Sequence, residues 1–376
     1  MLKAQKQELR VAIVHDWLTG FAGADRVVDQ IKKTFPDAPI YTLVYDPSKF
    51  PAHFQKYEVR TTYIQKIPFA TKLYKNMLTL MPLAFESLDL TQYDLVISSC
   101  SSCSKGVITR SDAVHICYCH TPTRYLWDMY PVYLHNAGML KRLLMPGMIH
   151  KMRLWDYQAA SRVDHFISNS AYVAQRIQKY YRRKSDVIYP GVRIDTSAFE
   201  VQEDYYLVVS RFVRYKRIDL AIEACNRLKK RLVIIGEGDE HRSLKRIAGH
   251  TIEFKGNLSD DEIRVWYRKA KAFLFPGEED FGITPVEAMS AGIPVLAYGR
   301  GGVTETVVDG KTGLFFPEQT VESLCDCIVQ FEEKGVAYTR EEIRAHSQKF
   351  SEERFRNEIE QYCYEKLALQ KEKASL

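Results

Sequence analysis

Short apolar runs recur along the first half of the chain, at Val11-Ala12-Ile13-Val14, Leu95-Val96-Ile97, Val114-His115-Ile116-Cys117 and His165-Phe166-Ile167. Each is followed by a turn or a stretch with helical spacing. Such alternation predicts strand–helix–strand units. A second series runs through Tyr206-Leu207-Val208-Val209, Leu232-Val233-Ile234-Ile235, Ile252-Glu253-Phe254, Ala272-Phe273-Leu274-Phe275 and Pro294-Val295-Leu296-Ala297, and is almost wholly apolar. Strands buried on both faces by covering helices have that composition. The pattern predicts an α/β chain with two doubly wound parallel sheets, one per half.

Periodicity lapses at Tyr189-Pro190-Gly191-Val192 and again at Glu200-Val201-Gln202-Glu203-Asp204. Those breaks predict a first domain over residues 1–190 and a second over 200–350. Beyond Thr320 the pattern is helical. Phe355, Ile359 and Tyr362 give the last segment, 351–376, one apolar stripe that must dock on another surface.

A chain of 376 residues with 46% hydrophobic and 27% charged positions can build such cores, which excludes wholesale disorder. Its net charge of +6 is too small to imply nucleic-acid binding, although it favours anionic partners. No apolar run approaches the roughly 20 residues of a membrane helix, and the start, MLKAQKQELR, has no apolar stretch to serve as a leader, so a cytoplasmic protein is expected. Eight cysteines in so long a chain suggest reduced thiols rather than a disulfide framework. Cys100-x-x-Cys103 and Cys117-x-Cys119 read better as small buried residues at strand ends than as a metal site.

Ligands of open α/β sheets bind beyond the carboxyl ends of the strands, so the segments following the apolar runs are where chemistry is expected. After Phe275 comes Pro276-Gly277-Glu278-Glu279-Asp280-Phe281-Gly282-Ile283-Thr284-Pro285-Val286-Glu287. Here Thr284 reads as an N-cap, Pro285 as the first helical residue and Gly292 as the stop. The start of that helix, with Gly282 allowing close approach, suits a phosphate, while Glu279 and Glu287 can line one cleft. The competing reading makes Glu287 half of a capping box with Thr284. After Val209 comes Ser210-Arg211-Phe212-Val213-Arg214-Tyr215-Lys216-Arg217, whose four cations suit a diphosphate or, equally, a solvated loop.

In the first half, His15-Asp16 leads into a flexible turn around Gly20 and Gly23, and His120 sits with Arg124 on a proline-containing loop. Neither this turn nor Gly236-Glu237-Gly238 completes a dinucleotide fingerprint, which disfavours an NAD enzyme. Two stretches, Tyr63 to Lys75 and Met139 to Arg153, mix apolar and basic residues. They could lie on an anionic membrane surface or pack on the sheet with their cations in water.

The segments EEDFGITPVEAMSAGIPVLA and SRFVRYKRID together resemble the paired acidic and basic motifs of family 4 retaining glycosyltransferases of the GT-B fold. HDWLTGFAGADRVV and YCHTPTRYLWD resemble a bacterial mannosyltransferase-like branch of that family, common in O-antigen and exopolysaccharide assembly. The resemblance implies two Rossmann-like domains facing across a cleft, an acceptor-binding first domain, a nucleotide-sugar-binding second domain, and a terminal helix packing back on the first.

It also implies roles for single residues. Glu279 would contact the donor sugar and Glu287 the nucleotide ribose. Arg211 and Lys216 would neutralise the diphosphate, with Phe281, Gly282, Ile283 and Thr284 supplying main-chain donors. His120 would sit beside the reacting sugar, Gly23 would approach the phosphates, and Asp16, Arg124 and Tyr125 would face the acceptor. Ala22 departs from the family pattern, where the first of two glycines is common, and Asp25 stands where this branch often has Glu.

The expected activity is metal-independent transfer of a hexose, mannose from GDP-mannose, to a lipid-linked or growing glycan, with no resident cofactor and with contact to the cytoplasmic membrane face. The alternatives are a nucleotide-sugar 2-epimerase and a non-catalytic glycan- or nucleotide-sugar-binding subunit.

Overall fold

The computed structural model describes residues 9–135 and 138–374. These form two compact units: one combines the chain up to Tyr189 with the segment from Phe355 onward, and the other is Pro190–Arg354.

The first unit is built on seven parallel strands, β1 (Val11–His15), β2 (Ile40–Thr42), β3 (Val59–Thr61), β4 (Leu95–Cys100), β5 (Val114–Cys119), β6 (His165–Ser168) and β7 (Ser185–Val187). Their order is β3-β2-β1-β4-β5-β6-β7. All side chains of β1, β4 and β5 are buried, as strands covered on both faces must be. On one face Val27, Val28 and Ile31 of the helix Gly23–Thr34 meet Ile13, Ile97 and Ile116. Phe355, Ile359, Tyr362, Cys363 and Leu367 of the helix Glu352–Ala374 complete that same cluster. Phe355 meets the Tyr118 ring edge-on at 5.7 Å. The Thr123 to Tyr130 turn and the helix Met139–Ser161 cover the other face.

The second unit carries six parallel strands, β8 (Tyr206–Val209), β9 (Leu232–Ile235), β10 (Ile252–Gly256), β11 (Ala272–Phe275), β12 (Val295–Tyr298) and β13 (Gly313–Phe316), in the order β10-β9-β8-β11-β12-β13. The helices Ile218–Leu228 and Val321–Lys334 bury Leu220, Ala224, Leu324 and Ile328 against Tyr206, Val208, Leu232 and Leu314.

Four strands went unread in the sequence: β2, β3, β7 and β13. Three of them have only three residues, and β3 and β7 are partly exposed sheet edges.

A cluster at the foot of the second unit gives it a defined acid response. Tyr206 donates its phenolic O–H to Glu332, which also pairs with Lys271 at 2.7 Å and Lys230 at 3.1 Å. Burial alone would raise the Glu332 carboxyl, but these three partners hold it down to about 2. A carboxyl depressed in the folded state contributes stability above its unfolded pKa of about 4.3, and that contribution is lost as pH falls towards about 2. Glu332→Gln is therefore expected to flatten the loss of stability across that window in an acid titration followed by circular dichroism. An unchanged slope would remove Glu332 as its source.

Candidate functional site

Each sheet has one point where strand order reverses, between β1 and β4 in the first unit and between β8 and β11 in the second. Loops leaving neighbouring strands at such a point diverge to opposite faces and leave a crevice, where ligands of this architecture bind.

In the second unit the two loops are those holding the basic and acidic motifs. The loop after β8 ends in a short turn, Arg214–Lys216, closed by Arg217 in the left-handed region at φ 51°. Lys216 Nζ forms an ion pair with a Glu279 carboxylate oxygen, and both side chains are largely buried. Gly277 makes the approach possible, because a Cβ there would lie 3.0 Å from Lys216 Cα.

Arg211 is exposed and makes no side-chain hydrogen bond or ion pair among the described residues. Its backbone is nevertheless fixed. The neighbouring Phe212 is buried, its N–H donates to the Glu237 carbonyl at 2.8 Å, and its carbonyl accepts from Glu240 N–H at 3.1 Å.

The helix after β11 is Ile283–Ser290, with Gly282 at its N-cap. This corrects the sequence reading, which placed Thr284 there. Gly282 has φ 87°, a conformation Thr would adopt only under strain, so glycine sets the start. Thr284 and Pro285 then occupy the second and third helical positions, and no side-chain cap forms. The capping-box alternative for Glu287 is accordingly not realised. Glu287 instead accepts from the Tyr267 hydroxyl at 3.3 Å. Phe281 turns inward against Phe350, with ring centroids 5.9 Å apart.

The glycine pair after β12 had not been singled out in the sequence. Gly302 N–H donates to the Glu279 carbonyl at 2.9 Å, and a Cβ on Gly301 would lie 2.5 Å from that same oxygen. This tight packing fixes the backbone from which the Glu279 side chain projects. A glycine doublet at the carboxyl end of an apolar strand was the available signal.

In the first unit Asp16 follows β1 and is 1% exposed. Its Oδ2 accepts the Ser101 and Ser102 N–H groups at 2.6 and 2.9 Å, and its Oδ1 those of Cys103 and Ser104 at 2.8 Å each. Both oxygens are thus committed to the loop after β4. Asp16 thereby anchors the loop after β4 to the end of β1.

Ala22 caps the helix Gly23–Thr34 at φ −123°, extended backbone open to any residue. Asp25 returns its carboxylate to Ala22 N–H at 2.9 Å. Both departures from the family pattern are therefore accommodated at the helix start, where Gly23 is the first residue.

His120 ends β5. Its Nε2 lies 2.8 Å from Ser99 Oγ, and its carbonyl accepts from Asn169 Nδ2 at 3.0 Å. Burial, aided by the positive charge of His15, lowers its pKa to about 3, so the ring is neutral. The following turn is held from below by Asp156, which pairs with Lys105 at 2.5 Å and accepts from Thr123 Oγ1, Trp127 Nε1 and the Tyr181 hydroxyl at 3.0, 2.7 and 2.9 Å. Burial opposes the Lys105 ammonium, but Asp156 keeps it charged. Tyr125 OH is 2.6 Å from Ser102 Oγ, and Arg124 Nη1 lies 3.6 Å from Met129 Sδ.

The predicted residues thus fall into two groups, one beyond the ends of β1 and β5 in the first unit and one beyond the ends of β8 and β11 in the second. Among the described residues no cluster of three His, Cys, Asp or Glu side chains is arranged to hold a metal, and all eight cysteines are free and buried.

Two family descriptions match the chain in tandem: Glycosyltransferase Family 4 over residues 21–196 and Glycosyl transferases group 1 over residues 194–350. Residues 21–350 are thus two glycosyltransferase domains in tandem, in the GT-B fold. It is similar to an uncharacterized glycosyltransferase of Methanocaldococcus jannaschii, at 28% identity over 48% of this chain and 53% of that protein. The chain therefore spans about half the length of that relative. It is also 25% identical to the alpha-1,3/1,6-mannosyltransferase ALG2 of Rhizomucor pusillus, over 86% of this chain and 85% of the relative. The sucrose-phosphate synthase of Thermosynechococcus elongatus superposes with a TM-score of 0.72 over 96% of this chain and all of that one, at 18% identity, a likeness of fold.

Proposed function

We propose that this glycosyltransferase moves mannose from GDP-mannose to a lipid-linked or growing glycan in cell-surface polysaccharide synthesis, with retention at the anomeric carbon and without a metal ion. The observation that carries the reading is the Lys216–Glu279 pair at the second unit's switch point, beside the unpaired Arg211. The mannosyltransferase name of the Rhizomucor pusillus relative supports the choice of sugar.

Breaking the bond between an anomeric carbon and a nucleoside diphosphate builds positive charge on the sugar and negative charge on the leaving phosphate. Arg211 and Lys216 meet that negative charge as fixed cations. The N–H groups of Gly282, Ile283 and Thr284, at the start of the helix Ile283–Ser290, add their dipoles on the same anion. Glu279, already held by Lys216, positions the sugar, and Glu287 takes the ribose hydroxyls. In the first unit Gly23 opens the helix that approaches the phosphates, His120 stands beside the sugar, and Arg124 and Tyr125 face the acceptor.

The test is a melting-temperature screen against GDP, UDP, ADP and their common sugars, followed by transfer assays with the best ligand in EDTA. A ligand that binds only the folded chain raises its melting point with the logarithm of its concentration over Kd, adding about 2.7 kcal/mol of stability at a hundredfold excess. GDP-mannose is expected to give the largest shift and to support acceptor-dependent transfer. Conversion of the sugar nucleotide without any acceptor would show an epimerase instead.

Membrane contact is part of the same proposal. Phe69 is 73% exposed with a left-handed backbone, flanked by Lys66, Lys72 and Lys75, and Leu143 on the helix Met139–Ser161 is 77% exposed. Apolar side chains among lysines suit an anionic bilayer surface. No helix among the described residues is long and apolar enough to cross a membrane, and Met1–Glu8, the start read for a leader, lies outside them. Changing Phe69, Lys72 and Lys75 together to Ser is expected to reduce cosedimentation with phosphatidylglycerol-containing liposomes at least about tenfold. Equal binding by the variant would confine these residues to an ordinary surface role.

A further inference from the structure

Ser99 on β4 stands between two histidines. It is in register with His15 of β1 on one side and Tyr118 of β5 on the other, and His120 follows just beyond the end of β5. Its hydroxyl oxygen is 2.8 Å from His120 Nε2 and 3.2 Å from His15 Nδ1.

The partners fix where the hydrogens go. His15 Nδ1 also lies 3.0 Å from the Ser99 carbonyl oxygen, which can only accept, so Nδ1 carries a hydrogen directed at Ser99. Among the described residues His120 Nε2 is then the acceptor left for the one hydroxyl hydrogen of Ser99. A neutral imidazole bears a single N–H, so in His120 it is on Nδ1.

His15 is itself held in place. Its Nε2 faces Asp25 Oδ1 at 3.5 Å, and although burial opposes its charge, Asp25 and Asp16 raise its pKa above the ordinary value. Asp25 in turn holds Ala22 N–H, so a continuous chain of contacts runs from the start of the Gly23–Thr34 helix through His15 and Ser99 to His120.

We propose that Ser99 is a positioning residue: its hydroxyl donates to His120 Nε2 and thereby makes Nδ1–H the group that His120 offers, as a hydrogen-bond donor and not as a base, to a hydroxyl of the transferred sugar. The proposal rests on the reading that puts His120 beside that sugar. It assigns the orientation and tautomer of the ring to a residue that touches no substrate.

The test reads the tautomer directly, by side-chain nitrogen NMR of the full chain labelled with ¹⁵N-histidine, with the His120 signals assigned by their loss in His120→Gln. The native chain is expected to show neutral His120 carrying its hydrogen on Nδ1. Ser99→Ala is expected to shift the signal towards the Nε2–H form and to lower kcat about tenfold, with the KM for GDP-mannose little changed. Ser99→Thr, which keeps the hydroxyl, is expected to restore both.

A native signal showing Nε2–H or an imidazolium would overturn the proposal without need of any variant, as would a Ser99→Ala spectrum identical to the native one. A tautomer that shifts while kcat stays the same would instead overturn the placement of His120 at the sugar, so the two failures are told apart.

Discussion

Replacing Lys216 by alanine is expected to lower kcat/KM for sugar transfer by at least about 10²-fold, the loss typical when one group aimed at developing transition-state charge is removed. The geometry makes this substitution doubly harmful. Lys216 neutralises Glu279 and, under the proposed function, would also supply positive charge for the diphosphate, so its removal would leave that carboxylate without its ion-pair partner beside an anionic substrate. Because the leaving phosphate carries most charge at the transition state, kcat should fall along with kcat/KM. Lys216→Arg should not rescue fully, since a planar fork cannot sit where a compact ammonium fits between Tyr215 and Glu279. Glu287→Ala is expected to cost a comparable factor in kcat/KM, chiefly through a higher KM for the sugar nucleotide. Steady-state kinetics with GDP-mannose decides both, and native turnover in either variant would remove that residue from the site.

The largest stability effect is expected in the first unit, at Asp156. The Asp156 and Lys105 side chains are essentially inaccessible. Removing one partner of such a pair leaves an uncompensated buried charge, at a cost of about 3–5 kcal/mol. Asp156→Ala also strips Trp127 and Tyr181 of their acceptor, while Thr123 keeps the Ser102 carbonyl at 3.2 Å, so the effect should lie at the upper end of that range. The double change Lys105→Met with Asp156→Leu removes the stranded ammonium but not the two orphaned donors, and should recover only part of the loss. Urea unfolding followed by tryptophan fluorescence is a direct readout, because Trp127 donates to Asp156 and Trp155 lies beside Lys105. A midpoint for Asp156→Ala within error of the native chain would show that water or a rearranged partner replaces the carboxylate.

How much of this was legible in the sequence follows from the reach of each signal. Buried parallel strands announce themselves as apolar runs, and nine of the thirteen were read that way. The tripeptides Ile40–Thr42, Val59–Thr61 and Ser185–Val187 are too short to carry a period, and Gly313–Phe316 starts on a glycine in a turn-rich stretch. The helix start at Gly282 was misplaced because capping preference favoured Thr284, whereas the deciding factor was a backbone angle invisible in residue type.

The site was legible as motifs and illegible as contacts. Nothing in spacing says that Lys216 reaches Glu279; the sheet order, which makes β8 and β11 neighbours, brings them together. The hold on Asp16 is hidden for the same reason, since its four amide partners lie in the loop after β4, a strand adjacent in space and distant along the chain.

The split make-up of the first unit bears on how the protein is born. Five side chains of its core, Phe355, Ile359, Tyr362, Cys363 and Leu367, are made after the whole of the other unit, which is one unbroken stretch. The lobe made first must therefore wait, one cluster unfinished, while the lobe made second can close as soon as it emerges. A chain truncated before Phe355 would thus present a finished second unit tethered to an incomplete first one.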